Sequence, residues 1–401
     1  MPEKIYISGI GAISSIGVNV PELLASIRSS RHGIQHIVHL DTSHRGNLPV
    51  GEVKLSNEQL AERIQTEKAS NFSRTTLLGI VAAREAVAHA GIDIQDGLKT
   101  GIISSTSVGG IDKTENFFKK FFADPTSGRL RNITSHDCGD STENIAVDLG
   151  VYHYISTIST ACSSSANAIM TGARLIRHKI LDRVIVGGTD ALTKYTLNGF
   201  NALKILDTGH CKPFDQNRNG LNLGEGAAYL VLESEKSLKQ RNAEPICYLS
   251  GYGNANDAYH QTASSPEGNG AYSAMEIALK QSTFLPGDID YVNVHGTATY
   301  VNDLSEGTAM SKLFSEGMPR FSSTKSFTGH TLAAAGSIEA VISVLSIKNN
   351  FIAPNLNFQS SIEGLNMVPV QELQENIEIR NILSNSFGFG GNCSALVISA
   401  L

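Results

Sequence analysis

Tryptophan is absent from this 401-residue chain, and proline is scarce at 11 residues. No Cys-x-x-Cys pair occurs among the five cysteines at 138, 162, 211, 247 and 393. An odd, scattered set speaks against both a disulfide framework and a zinc–cysteine site, and fits a reducing, cytoplasmic setting. Neither charge sign dominates: 32 basic and 38 acidic residues leave a net charge of −6. That balance excludes general nucleic-acid binding while leaving room for a local basic patch facing an acidic partner. No apolar run approaches membrane-spanning length, and no charged and apolar leader precedes the strand-like start at Met1-Pro2-Glu3-Lys4. Gly109-Gly110 and Gly187-Gly188 build neither a dinucleotide fingerprint nor a P-loop, so no nucleotide cofactor is implied.

What is present is glycine, 37 residues of it, and a 41% hydrophobic fraction, enough for a large core. Strand-like and helix-like segments alternate. Strands are expected at Lys4–Ile10, Thr100–Ser105, Val151–Ser159, Arg183–Val186, Ile246–Gly253, Tyr291–Val294, Phe321–Ser323, Asn381–Asn385 and Ala395–Ser399. Helices are expected at Arg74–Ala90, Cys162–His178, Ala271–Gln281 and Thr331–Asn349. This pattern predicts an α/β architecture. Each half contains a strand, a polar turn and a small-residue helix. A division into residues 1–243 and 244–401, two duplicated halves sharing one core, is expected.

Cys162 stands out in Ser159-Thr160-Ala161-Cys162-Ser163-Ser164-Ser165. At a helix start it faces unpaired N–H groups and the positive end of the dipole, both of which favour the nucleophilic thiolate. A buried structural thiol is the plain alternative, and the polar residues that follow speak against it. His295 and His330 lie in glycine- and threonine-rich turns after strands, where α/β proteins place ligand-facing residues. Each is either a satisfied structural ring or a donor and base for the thiol's chemistry. Lys325 and Glu339 flank His330 as either a buried orienting pair or two surface charges. Phe387-Gly388-Phe389-Gly390-Gly391 offers backbone N–H groups and a movable aromatic, or a simple glycine turn.

These motifs resemble the β-ketoacyl-acyl-carrier-protein synthases, thiolase-like condensing enzymes of the elongating Cys-His-His type. The similarity runs from Ile7-Ser8-Gly9-Ile10-Gly11 to the final glycine turn. It includes Lys212-Pro213-Phe214-Asp215, Gly224-Glu225-Gly226-Ala227 and a synthase II-like Asp257-Ala258-Tyr259-His260-Gln261-Thr262. The resemblance implies a five-layered αβαβα fold and condensation of malonyl units with a Cys162-bound acyl chain. It implies that His295 and His330 bind the malonyl thioester, supported by Lys325 and Glu339. The N–H groups of Cys162 and Phe389 would form an oxyanion hole, with Phe387 and Phe389 at the gate. Thr297 and Thr299 would contact the pantetheine arm, Val108 and Phe200 the acyl chain, and Lys204 the acidic acyl carrier protein. No metal and no cofactor beyond the carrier's phosphopantetheine is implied. A homodimer is, or a heterodimer with a related subunit. A chain-length-factor-like partner, a malonyl decarboxylase and a thiolase are the rivals. The chain departs from the family pattern at Tyr300 (usually proline), Asn219 (usually acidic) and Asn392-Cys393, and its stretch from Leu206 to Cys211 is short.

Two further clusters carry weaker signals. His32, His36, His39 and His44 read as a polar surface loop rather than a metal site. Lys113, Lys119, Lys120, Arg129 and Arg131 surround Phe117, Phe118, Phe121 and Phe122. That segment reads as an amphipathic helix packing its aromatic side, with subunit contact and carrier docking as the alternative.

Overall fold

The computed structural model describes residues 4–66 and 71–401, and the side chain of Arg131 and residues Met1 to Glu3 lie outside that description. Along the first half run β1 (Ile5–Ser14), α1 (Val20–Arg28), β2 (Gln35–His36), β3 (Pro49–Val50), α2 (Asn57–Ile64), α3 (Arg74–Ala90), β4 (Thr100–Ser105), α4 (Ile111–Ala123), α5 (Arg131–Thr134), α6 (Cys138–Leu149), β5 (Tyr154–Ile158), α7 (Ser164–Arg177), β6 (Arg183–Asp190), α8 (Lys194–Ala202), β7 (Gly226–Glu233) and α9 (Glu235–Gln240). The second half continues with β8 (Cys247–Asn256), α10 (Asn269–Ser282), β9 (Tyr291–Asn293), α11 (Tyr300–Leu313), β10 (Arg320–Ser322), α12 (Lys325–Thr328), α13 (Ala335–Asn349), β11 (Phe351–Ile352), β12 (Gln374–Glu375), β13 (Asn381–Phe387) and β14 (Asn392–Ser399).

Ten strands hydrogen-bond in the order β10-β9-β13-β14-β8-β1-β7-β6-β4-β5. Read outward from the centre, the halves β1-β7-β6-β4-β5 and β8-β14-β13-β9-β10 repeat one plan. The first strand of each half pairs antiparallel with its fifth, and the fifth antiparallel with its fourth. The fourth then runs parallel to the second, and the second parallel to the third. The halves join where Ile5–Ile7 meet Cys247–Leu249.

Helices α7 and α13 pack on each other and on strands of both halves, forming the middle layer. Helix α3 covers β1, β7 and β6 from outside, and α10 covers β8, β14 and β13. The layers are therefore α3, half-sheet, α7 with α13, half-sheet, α10: the αβαβα arrangement. Every residue of α13 from Ala335 to Ile347 is buried. Each large aliphatic side chain there gains about 1.5–3 kcal/mol from leaving water. Leu332–Asn349 has the length and mean hydropathy (1.3) of a membrane span, contrary to the expectation that no run approaches one, but 89% of it is buried inside the protein.

Helix α3 begins and ends where its sequence signals place it. Ser73 accepts from the Thr76 N–H at the start, and Gly91 takes φ 61° at the end. Helix α7, in contrast, starts at Ser164 rather than Cys162. Of the phenylalanines on α4 only Phe117 is buried. Phe118, Phe121 and Phe122 are exposed, so this helix does not pack its aromatic side within the chain. The loop histidines do not converge either: His44 Nε2 lies 2.9 Å from Asn198 Oδ1, and His32 sits edge-on to His210.

Candidate active site

The segment from β5 to α7 makes a sharp elbow. Ala161 takes φ 52°, a left-handed conformation rare for a residue with a Cβ. The strain is held by the serines after Cys162. Ser164 Oγ accepts from Thr160 N at 2.8 Å and donates to Ala161 O at 2.5 Å. Ser163 Oγ lies 2.8 Å from Thr160 O and 2.7 Å from Asn392 Oδ1. Ser165 Oγ accepts from Ser337 N at 2.8 Å, tying the elbow to α13. All three serines are fully buried. The polarity after Cys162 thus serves turn geometry and is compatible with deep burial, so by itself it does not speak against a buried thiol.

His330 Nε2 lies 3.0 Å from Cys162 Sγ. The rings of His295 and His330 meet edge to face, with centroids 5.4 Å apart. Beneath them, Lys325 Nζ lies 3.2 Å from His295 Nδ1, donates to His295 O at 2.5 Å and forms an ion pair with Glu339. An ammonium only donates, so His295 Nδ1 accepts and its ring proton sits on Nε2. Glu306 on α11 fixes the His295 turn: its carboxylate accepts from His295 N at 2.9 Å, Gly296 N at 2.8 Å and Asn385 Nδ2 at 3.0 Å.

Burial dominates the electrostatics. It holds both histidines well below their usual pKa, and the Lys325 charge pushes each further down. Two neutral imidazoles result. Burial likewise pushes the Cys162 thiol up to about 11, although Lys325 and the backbone N–H groups of Phe389 and Cys162 pull it down. The expectation of a resting thiolate is therefore overturned. Loss of water costs the charged form more than the helix end and N–H groups return. Burial also lifts Glu339 and Glu306 to about 7.

A cleft of about 400 Å³ opens over Cys162, His295 and His330. Phe387, Phe389, Thr297, Thr299, Phe200 and Lys204 all lie on its wall. Phe389 stacks on Phe200 with centroids 5.7 Å apart, and Thr297 and Thr299 share a 2.9 Å hydroxyl contact. Val108 does not line this cleft. It sits behind the elbow, where its N–H lies 3.4 Å from Asp190 Oδ1 and the neighbouring Ser107 Oγ lies 3.5 Å from Ala161 O. Among the described residues no group of three or more histidines, cysteines or acids is placed to hold a metal.

Several residues had no role assigned from the sequence. Asp190, buried and raised to about 6, bonds the Thr106–Val108 loop and Ala333 N, bracing the segments beside Cys162 and His330. Asn392 Oδ1 gathers Ser163, Asn167 and Asn254. Only Glu306 had a sequence signal, an acid eleven residues after His295, on the helix that follows its turn.

Two duplicated halves presenting a cysteine elbow and His330 ahead of the two inner helices, with His295 from the turn after β9 beside them, define a thiolase-like condensing enzyme. Residues 2–237 match the β-ketoacyl synthase N-terminal domain, and residues 246–359 the C-terminal domain. The chain belongs to the β-ketoacyl synthase family. It is 34% identical to 3-oxoacyl-[acyl-carrier-protein] synthase 2 of Staphylococcus aureus (strain N315), covering 98% of each chain. It is 32% identical to the enzyme of that name from Coxiella burnetii, over 99% of this chain and 98% of that one. Among solved structures, the ishigamide ketosynthase/chain length factor superposes with TM-score 0.95 at 29% identity over 100% of both chains. The ketosynthase in complex with its chain length factor from Xenorhabdus doucetiae gives 0.86 at 29%, covering 100% of this chain and 98% of that one.

Proposed function

We propose that this chain is a β-ketoacyl-acyl-carrier-protein synthase that joins a Cys162-bound acyl chain to malonyl carrier by decarboxylative Claisen condensation. The observation that carries the reading is His330 Nε2 at 3.0 Å from Cys162 Sγ, with a second neutral imidazole beside it. In the first half-reaction Sγ attacks the acyl thioester, its proton goes to the departing carrier thiolate, and the His330 Nε2 N–H beside Sγ steadies the charge that develops on sulfur. The N–H groups of Cys162 and Phe389, both near Sγ, receive the oxyanion. After the first carrier leaves, malonyl carrier enters along Thr297 and Thr299. The carboxylate departs as CO₂, and neutral N–H donors on His295 and His330 hold the enolate oxygen. The enolate carbon then attacks the acyl-cysteine. A proton from solvent restores the thiol as the β-ketoacyl carrier forms. Lys325 and Glu339 position the rings, and burial keeps water from the acyl-enzyme.

Lys204 on the cleft wall would meet an acidic carrier, an assignment supported by the acyl-carrier complex of a 25% identical ketosynthase. Strand β5 ends the sheet with one edge unpaired among the described residues. Ile155 on it, Tyr152 just before it and Val147 on the adjoining α6 are exposed. Such an edge and apolar face suit a second subunit, either another copy or a related chain, as in the chain-length-factor assemblies above. The division at 243/244, a cytoplasmic setting and the absence of any cofactor other than the carrier's arm belong to the same proposal, as do acyl chains of fatty acid, polyene or polyketide type. A purely non-condensing partner role fits poorly, because the nucleophile and both histidines are assembled. Incubation with a radiolabelled acyl carrier tests this: label should remain on Cys162, and an unlabelled protein would refute the reading.

A further inference from the structure

The mouth of the cleft holds a cation that the chemistry above does not use. Arg218 is only 7% exposed, yet it lines the cleft. It bonds backbone carbonyls alone: Nη1 to Asp215 O at 2.9 Å, Nη2 to Tyr300 O at 2.7 Å and Nε to Thr299 O at 3.2 Å. No carboxylate pairs with it among the described residues. The nearby acids are already engaged: Asp303 accepts from Phe214 N and Ala298 N, and Asp215 from Asn217 N, Gln359 N and Ser360 N. Residue 219, next in the chain, is asparagine and adds no charge. The Tyr300 ring covers the guanidinium at 4.9 Å, a face contact that holds the cation without neutralising it. Three of the five N–H donors are used, leaving two. Lys204, on the same wall at the end of α8, likewise has no carboxylate partner among the described residues.

A nearly buried, conformationally locked guanidinium with no direct carboxylate partner among the described residues, on the wall of a reaction cleft, suits an anion with several acceptor oxygens. Thr297 and Thr299 lie on the same wall. We infer that Arg218, capped by Tyr300 and helped by Lys204, is a subsite for the phosphate group at the head of the pantetheine arm that enters this cleft. The inference rests on the condensing reading and deepens it. Arg218 acts on binding and register of the arm. By holding the Thr299 and Tyr300 carbonyls it also links phosphate seating to the threonine turn after His295.

The test compares one acyl group on pantetheine with the same group on 4′-phosphopantetheine, following Cys162 acylation by intact-protein mass spectrometry. The wild-type protein should prefer the phosphorylated thioester by about tenfold or more, the scale of a charge-assisted contact. Arg218→Gln should bring that ratio close to one, and Lys204→Gln should reduce it by a smaller factor. The ratio is internal to each variant, so it is insensitive to a partial loss of folded protein. Should R218Q fail to fold, Tyr300→Ala and K204Q give the same readout from the rim. A wild-type ratio near one, or a ratio unchanged in the variants, overturns the subsite. Absence of an adduct from either thioester overturns the condensing reading and the subsite with it. Holo-carrier protein and coenzyme A are then compared as protectors of Cys162 against alkylation. The one effective at lower concentration is the source of the phosphate, and its protection must weaken in R218Q or Y300A.

Discussion

The proposed chemistry needs His295 and His330 as neutral rings, and the fold favours this from two directions: burial and the Lys325 charge both lower their pKa. The sign gives a pH expectation. An ordinary imidazole would gain its proton near pH 6.5 and lose donor–acceptor function below it. Here malonyl decarboxylation by Cys162→Ala should show no loss centred on 6.5 from protonation of these rings, their acid limb lying well below it. A fall centred at 6.5 in the CO₂-release profile would contradict the placement of the rings. Lys325→Met removes one of the two depressing influences, so the acid limb should move to higher pH in the same assay. It also leaves Glu339 buried without its partner. Breaking such a pair costs about 3–5 kcal/mol, and denaturant unfolding should show a much smaller loss in the Lys325→Met/Glu339→Gln double variant. The same balance explains why Cys162 was misjudged from sequence. A helix N-terminus is legible in Thr160-Ala161-Cys162-Ser163, whereas the depth of burial that outweighs it depends on α13 and the glycine turn, remote in the chain.

The elements that matter most are short: the elbow at Ala161–Ser163 and the turn from Phe387 to Gly391. They touch closely at Gly388, where a Cβ would stand 2.8 Å from Thr160 O and 3.1 Å from Cys162 N. Gly388→Ala should therefore push the turn from the elbow and misplace the Phe389 N–H. Condensation should fall by about tenfold or more, in line with loss of one oxyanion donor, while the unfolding midpoint moves little. Unchanged turnover in a single-turnover assay would argue that the turn does not set that N–H. Legibility followed local signals at this scale. Helix α3 carried its own cap and terminating glycine, so its limits could be read directly. Strand β7 is a short apolar run in Gly226–Glu233, a pattern that periodicity alone does not separate from a buried helix segment. Helix α11 mixes polar and apolar residues on every face because Glu306 and Asp303 point into the core, so periodicity could not find it. Asp190 was invisible for the same reason: its partners, Thr106 and Ala333, are 84 and 143 residues distant.

At the scale of the whole molecule, duplication explains why chemistry sits where it does. The third strand of each half leads into an inner helix, with Cys162 before α7 and His330 before α13, so folding the halves together brings sulfur and imidazole into contact. The repeat was faint in residue identity and plain in strand order, because topology outlasts side chains. The outer end of the first half-sheet, β5, is unpaired on one side among the described residues, with Ile155 on it and Tyr152 just before it exposed. Ile155→Lys there should weaken subunit association, seen as a concentration-dependent shift to a smaller species in sedimentation. An unchanged assembly would place the subunit contact elsewhere. The central claim is that one sulfur carries the acyl chain while the histidine pair, independently of it, releases CO₂. The most direct measurement is paired product analysis of Cys162→Ala with acyl and ¹⁴C-malonyl carrier. The account predicts labelled CO₂ with no β-ketoacyl product; a chain-extended product from that variant would contradict it.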